Sequence, residues 1–332
     1  MKQILLSILM LVCVMGIKAQ DLMVATLQSG EVTQVFYGAD AFIEAVGKAN
    51  SGDLITLSGG TFNVPKIEKA LRIQGAGYMD DSKNGLYRTT LNYELYINLP
   101  KGSSDNFLLE GIYSDKELRV TSSTPVKNFL LKRCRFKDVS FTNSITDGCQ
   151  LEHCRISDNL YIGDKSTNFS VVNSVINVLQ SNNENSSIVF QNTFINDVSY
   201  NAIATFENCI LSSHYTEGIS YVRLHKNCII KHCLALKGNM FANVLTLSNC
   251  WYSDKTTIWG TDKGYSDTDL YELTEAAKSQ YTGSDGKEIG IHGGYKPFLS
   301  TPSHPQITKR DIATKTSGGK LKVDITVEAQ ND

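Results

Sequence analysis

The sequence predicts an all-β solenoid, a parallel β-helix built from rungs of about twenty residues. Three observations carry this expectation. First, a five-residue pattern recurs seven times. It reads Lys132-Arg133-Cys134-Arg135-Phe136, then Glu-His-Cys154-Arg-Ile, Val-Asn-Ser174-Val-Ile, Gln-Asn-Thr193-Phe-Ile, Glu-Asn-Cys209-Ile-Leu, Lys-Asn-Cys228-Ile-Ile and Ser-Asn-Cys250-Trp-Tyr. Its central positions are 20, 20, 19, 16, 19 and 22 residues apart. Second, apolar residues keep fixed offsets from those centres. Phe136, Ile156, Ile176, Ile195, Leu211, Ile230 and Tyr252 stand two places on. Leu131, Leu151, Val171, Phe190, Phe206 and Leu247 stand three places back, with His225 as the exception. Third, the chain has 332 residues, 41% of them hydrophobic, which suffices for a long core and speaks against wholesale disorder.

Residues 1–19 read as a signal peptide. Lys2 gives a short positive start, Ile4 to Gly16 is almost unbroken apolar sequence, and Ala19 supplies a small residue for cleavage. The run is too short for a membrane span, and no other stretch reaches 18 apolar residues. The expected location is therefore outside the cytoplasm: periplasm, outer surface or medium. Cleavage there leaves seven cysteines, an odd number that argues against a full disulfide framework.

Residues 20–50 hold an N-terminal strand and a cap helix. Asp40 is an N-cap, and Phe42, Ile43, Val46 and Ala49 form an apolar stripe that plugs the cylinder. Residues 51–254 are the β-helix. In its central column Cys134, Cys154, Ser174, Thr193, Cys209, Cys228 and Cys250 are small and inward, since a free cysteine packs as a small hydrophobe. The preceding column holds Asn173, Asn192, Asn208, Asn227 and Asn249. Asparagine tolerates the left-handed region, which suits a tight bend, and stacked amides are expected to bond along the axis as an asparagine ladder. On a neighbouring column Lys132 is expected beside Glu152, and Glu207 beside Lys226. Residues 255–332 supply a helix begun by Ser266, Gly- and Pro-rich loops with one short strand from Glu288 to His292, and covering strands.

These segments resemble right-handed parallel β-helix proteins of the pectate-lyase-like superfamily. The likeness extends to Ala41-Phe42-Ile43-Glu44-Ala45-Val46, Gly52-Asp53-Leu54-Ile55-Thr56-Leu57, Gly59-Gly60-Thr61-Phe62 and Ile73-Gln74-Gly75-Ala76-Gly77, which look like the family's cap helix, first strand, glycine turn and second rung. It spans roughly residues 35 to 295, and the closing segment is similar to that of exported proteins of the Bacteroidetes type. The fold hosts lyases, hydrolases, adhesins and binding proteins, so the resemblance specifies architecture and leaves activity open.

In that family catalysis sits on the outward face of one strand of each rung. Here the corresponding outward column reads Ser140, Tyr161, Leu179, Ser199, Ser220 and Phe241. It lacks the base and cation that a lyase needs, and the paired carboxylates of a glycosidase. Its hydroxyls and exposed rings suit a glycan, so Ser140, Tyr161, Ser199, Ser220 and Phe241 are the expected glycan-binding residues of a non-catalytic protein. A polysaccharide lyase or glycosidase with a loop-borne site at Asp80, Asp81, Lys83, Arg88 or His214 is the alternative. A structural or adhesin module is the third reading.

Arg135 and Arg155 fall in adjacent rungs and form a candidate anion-binding pair, unless acids such as Glu110, Asp138, Glu152 or Asp158 neutralise them. The outward column then turns apolar through Val175, Phe194, Ile210, Ile229 and Trp251. A stripe about 20 Å long needs a cover. The alternating strand Leu321, Val323, Ile325, Val327, Ala329 is the expected one; a second subunit or a ligand are the others. No cofactor or metal is expected. Asp138, Asp158, Asp197 and Asp254 offer at most a calcium site, and the column is broken at Val178, Ser213 and His232. A formal net charge of -2 gives no nucleic-acid footprint.

Overall fold

The computed structural model describes residues 23–80, 87–100, 105–181, 187–198, 202–212, 224–236, 238–301, 305–313, 315, 319–320 and 322–328. The signal-peptide reading of residues 1–19 lies outside them. The chain winds as a parallel β-solenoid of about eight turns at the predicted spacing. Two antiparallel strands, β1 (Val24–Ser29) and β2 (Val32–Tyr37), open a twelve-stranded sheet, whose remaining ten strands are contributed in chain order by successive rungs. A second sheet of thirteen strands lines the adjoining faces. Helix α1 (Ala41–Lys48) caps the N-terminal end, burying Ala41, Phe42, Ala45 and Val46. Asp40 stands at its N-cap position, but its carboxylate accepts a bond from Asn63 Nδ2 at 2.6 Å instead of capping the helix.

The bend between the two sheets explains the repeat. In each of the seven rungs the residue before the centre has positive φ: Arg133, His153, Asn173, Asn192, Asn208, His232 and Asn249, at 45° to 56°. Such a bend turns a carbonyl inward, and the central residue answers it. Cys134, Cys154, Ser174, Thr193, Cys209, Cys233 and Cys250 each donate to the carbonyl two residues back, at 2.8 to 3.3 Å. The column therefore needs a small side chain that carries a donor, which is what Cys, Ser and Thr share. Around it Leu131, Leu151, Val171, Phe190 and Phe206 are fully buried on one side, and Phe136, Ile156, Ile176, Ile195 and Leu211 on the other. Each such side chain contributes about 1.5–3 kcal/mol by leaving water.

The register of the sixth rung differs from expectation. Ile229–Lys231 pairs with Thr205–Glu207, and Leu234–Ala235 pairs with Ile210–Leu211. The centre is thus Cys233, preceded by His232, and not Cys228 preceded by Asn227. Cys228 belongs to the start of the strand, where its thiol reaches Ala202 O. Ile230 then replaces His225 in the inward column, and the exception disappears. Glu207 lies beside Lys231, not Lys226, while Lys132 and Glu152 are paired as expected.

The apolar stripe is correspondingly Val175, Phe194, Ile210, Leu234 and Trp251. Ile229 is not part of it and faces solvent on the other sheet. The stripe is covered by residues 258–298, in which Trp259, Tyr271, Leu273, Tyr281, Ile289, Ile291 and Phe298 form one buried cluster with it. Coverage by the C-terminal region is thus observed, but the expected covering strand is elsewhere. Among the described residues Val323–Glu328 pairs only with Gln306–Ile312, as a separate antiparallel ribbon, and Val323, Ile325 and Val327 are exposed. The uncovered stripe on which an oligomer was expected to form is not present, because the chain's own C-terminal region packs on it.

Two short helices, α2 (Lys255–Trp259) and α3 (Glu275–Gln280), stand in the covering segment, capped by Asp254 and Thr274. The helix expected from Ser266 begins nine residues later. Ser266 instead receives the Tyr271 hydroxyl at 2.8 Å, which keeps the intervening chain irregular. Glu288 makes a single bridge to Thr282, so no strand runs to His292.

Candidate functional site

The outward polar face is built by five strands. These are β3 (Leu95–Leu99), β4 (Glu117–Ser122), β5 (Asp138–Asn143) and the second halves of β6 (Arg155–Ile162) and β7 (Val175–Ser181). Alternation decides which side chains leave the core. Leu95, Ile97, Leu118, Val120, Val139, Phe141, Leu160 and Leu179 are buried inside. Between them Tyr96, Arg119, Ser140, Tyr161 and Gln180 stack as one outward column. A bulge between Ile156 and Asn159 sets this parity. It places Leu160 beside Leu179, so Leu179 points inward and Gln180 takes the outward place that the sequence reading gave to Leu179.

A second outward column flanks the first. Glu117 pairs with Asp138, and Asn159 with Val178, which in turn pairs with Asp197. Hydrogen bonds fix its members. Asp138 Oδ1 accepts from the Asn159 backbone N–H and from Asn159 Nδ2, each at 3.0 Å, and Gln180 Nε2 donates to Asn159 Oδ1 at 2.7 Å. Arg119 donates to both oxygens of Glu117, at 3.0 and 2.6 Å, in a bidentate fork. Its guanidinium carbon lies 5.6 Å from the centroid of the Tyr96 ring. The Tyr96 hydroxyl donates to Glu94. That bond, to a group that prefers the phenol protonated, raises the Tyr96 pKa. Partial burial, reinforced by Asp138, Asp158 and Glu117, raises that of Tyr161.

The other predicted site residues are placed differently. Ser140 lies in the column but is largely covered, its hydroxyl 3.0 Å from that of Thr142. Phe241 is a correction: at 1% exposure it packs inside the core and presents no ring to a sugar. Ser199 and Ser220 lie outside the described residues. So do Asp81, Lys83 and His214 of the loop-borne alternative. Asp80 is engaged by Arg88, accepting its backbone N–H at 2.9 Å and its guanidinium at 3.3 Å.

Arg135 and Arg155 are engaged by the chain itself. Arg135 pairs with Asp267, and Arg155 donates to the carbonyls of Asp267 and Asp269 at 3.0 and 2.8 Å while stacking 4.8 Å over Phe298. Arg135 is neutralised by Asp267 and not by the acids expected, and Arg155 is held by backbone carbonyls. They staple the covering segment to the rungs.

The left-handed corner does the same work. Asn173 Nδ2 donates to the carbonyls of Ile291 and Gly293 at 2.9 Å, and Asn208 Oδ1 accepts the Ser284 N–H at 2.8 Å. His153 Nδ1 accepts the Leu299 N–H at 3.2 Å, and His232 lies 3.3 Å from Thr282 O. These groups anchor the cover, and the expected amide ladder is found on other columns, as in Asn177–Asn196 and Asn63–Asn92.

No family model, curated protein or solved structure matches the chain. The polar face must therefore be judged by its own chemistry.

That face offers two phenol rings, a guanidinium, an amide ladder and hydroxyls over roughly 14 Å, three rung spacings from Tyr96 to Tyr161. Sequence reasoning found Tyr161 and Ser140, and missed Tyr96, Arg119, Glu117, Asn159 and Gln180. A signal for the first two was available. Leu95-Tyr96-Ile97-Asn98-Leu99 and Leu118-Arg119-Val120 alternate strictly, although both precede the first Cys-centred repeat. The turn acids serve as local acceptors: Asp138 as above, and Asp254 as the cap that accepts the Thr257 N–H at 2.8 Å. Among the described residues no three His, Cys, Asp or Glu side chains converge as metal ligands.

Proposed function

We propose that the protein is an exported member of the pectate-lyase-like β-helix superfamily, of the Bacteroidetes type, whose polar face binds a neutral glycan without cleaving it. The observation that supports this most is the outward column Tyr96, Arg119, Ser140, Tyr161, Gln180. Rings give sugars a stacking surface, and fixed amides and hydroxyls give directional bonds. Charge favours a neutral ligand. Glu94, Glu117, Asp138 and Asp158 outnumber Arg119 and Lys137 there, so a polyuronate meets net repulsion.

The same groups are ill suited to turnover. Glu117 is held by Arg119, and Asp138 by Asn159. A phenol whose pKa is raised supplies less phenolate at neutral pH, so Tyr161 is a poor base. A glycan array of neutral and acidic polysaccharides, paired with absorbance and reducing-end assays for cleavage, tests the reading. Saturable binding to a neutral polymer is expected, without product. Tyr161→Ala and Arg119→Ala, which leave the core intact, should each weaken it about tenfold, the loss of one stacking or charge-assisted contact. Cleavage of any polymer, or binding that both variants leave unchanged, defeats the proposal.

A further inference from the structure

The two ends of the solenoid differ. At the N-terminal end α1 closes the core. At the other end the core lies open. The last rung carries β8 (Thr246–Ser248) and β9 (Trp251–Tyr252), the final strands of the two sheets. Its inward columns hold Leu245, Leu247 and Tyr252, which are 76%, 45% and 47% exposed. The corresponding residues one rung earlier, Cys228, Ile230 and Ala235, are wholly buried. The side chains point the right way, but among the described residues no rung follows to cover them.

Exposed strand edges are normally guarded by charge or proline. This one is not: Asn239 to Ser253 contains no charged residue and no proline. The last two rungs are one-signed in sequence, with Glu207 of the rung before beside Lys231. From Leu224 to Ser253 there are three lysines, Lys226, Lys231 and Lys237, and no acid. The opposite end is complementary. β2 is the terminal strand of the same sheet and, among the described residues, has β1 as its single neighbour. It is uncharged, exposes Val32, Val35 and Tyr37, and lies beside the exposed Ile43 of α1. Glu31, Asp40 and Glu44 there outnumber Lys48 and Lys69, the latter bonded to the carbonyls of Val46 and Ala49. Direction also agrees. β1 is antiparallel both to β2 and to Leu54–Leu57, so β2 runs the same way as every later strand of the sheet, β8 included.

We propose that the protein assembles head to tail, the open last rung of one copy seating on the β2 edge of the next. Translation along the axis brings β8 beside β2 as one more parallel pair and buries Leu245, Leu247 and Tyr252. Such a contact does not close on itself, so it grows into a filament. It uses the ends and leaves the polar face free, so it stands apart from the glycan reading. Tail-to-tail pairing would set Lys226 and Lys231 against their own copies. The ribbon of β10 (Gln306–Ile312) and β11 (Val323–Glu328) does not cover the open end: Val323, Ile325 and Val327 stay exposed, as do Leu245 and Leu247.

Sedimentation velocity over a dilution series of the full chain tests this with Leu247→Lys, which blocks the open end, and Val35→Lys, which blocks the β2 edge. The unaltered chain should form a ladder of whole-number multiples. Each variant alone should remain monomeric, and an equimolar mixture should stop at a dimer. The surface pair Lys226→Glu with Lys231→Glu, which leaves the core alone, should weaken association about tenfold, the size expected for lost charge complementarity. A chain that is monomeric at every concentration overturns the proposal, as does a Val35→Lys variant that still dimerises. A ladder that survives both blocking variants places the contact elsewhere and overturns it too.

Discussion

At the scale of single residues, the thiol column links sequence to stability. Each centre fills a small interior site and meets a carbonyl that the left-handed bend leaves over, so Cys, Ser and Thr exchange freely along it. Burial also keeps the thiols of this column, and that of the separately buried Cys149, protonated. It pushes Cys149 up to about 11 and Cys154 up to about 12, and raises Cys134 and Cys233 well above the ordinary value. The unfolded chain ionises its thiols first as pH rises, so it binds fewer protons than the fold and the slope of stability with pH is negative. Stability that is intact below about pH 9 should fall through about pH 12. Urea melts between pH 8 and 11 check this, with Cys154→Ser showing a shallower decline. A decline unaltered by that substitution would mean that the buried tyrosines, not the thiols, dominate.

At the scale of elements, the stripe and its cover act as one unit. Phe194 packs 4.2 Å from Tyr271 and 5.6 Å from Trp259, ring centre to ring centre, inside a cluster that excludes water. Phe194→Asp buries an unpaired carboxylate and removes an aromatic, a change expected to cost about 4 kcal/mol or more. Thermal melting should show a large drop in Tm with no change in the mass of the native species. A stable variant with altered mass would show that the stripe is an interface after all. The amphipathic pattern at 270–277 announced a helix but not its start. Asp269 and Ser266 hold Tyr271 by hydrogen bonds, and the helix waits for the cap at Thr274.

At the scale of the whole molecule, the winding was legible because the interior repeats. Positions 134 to 211 announce both the small donor and its two apolar neighbours, and the structure keeps every one of them. Legibility fails at the sixth rung for a specific reason. Lys226-Asn227-Cys228-Ile229-Ile230 and Lys231-His232-Cys233-Leu234-Ala235 both satisfy the local pattern, five residues apart. The favoured residue, Asn227, pointed to the wrong one. Pairing with Phe206 and Leu211 decides for the second, and pairing is a property of two rungs, not one. The polar face was half visible. A period-two pattern fixes sides only within an uninterrupted strand, and the bulge before Asn159 resets it, so Gln180 could not be read from alternation. The anchoring of the cover by Asn173, Asn208 and Arg155 joins residues more than 70 positions apart and left no local trace.

The claim on which the function rests is that sugar lies along β3 to β7. Hydrogen–deuterium exchange of the full chain, with and without a neutral polysaccharide selected on the array, addresses it directly. Slower exchange should be confined to peptides spanning residues 94–99, 117–122, 138–143, 159–162 and 178–181. Slowing that falls instead on the loop around Asp80 and Arg88 or on the last rung, or no slowing anywhere at saturating polymer, would contradict it.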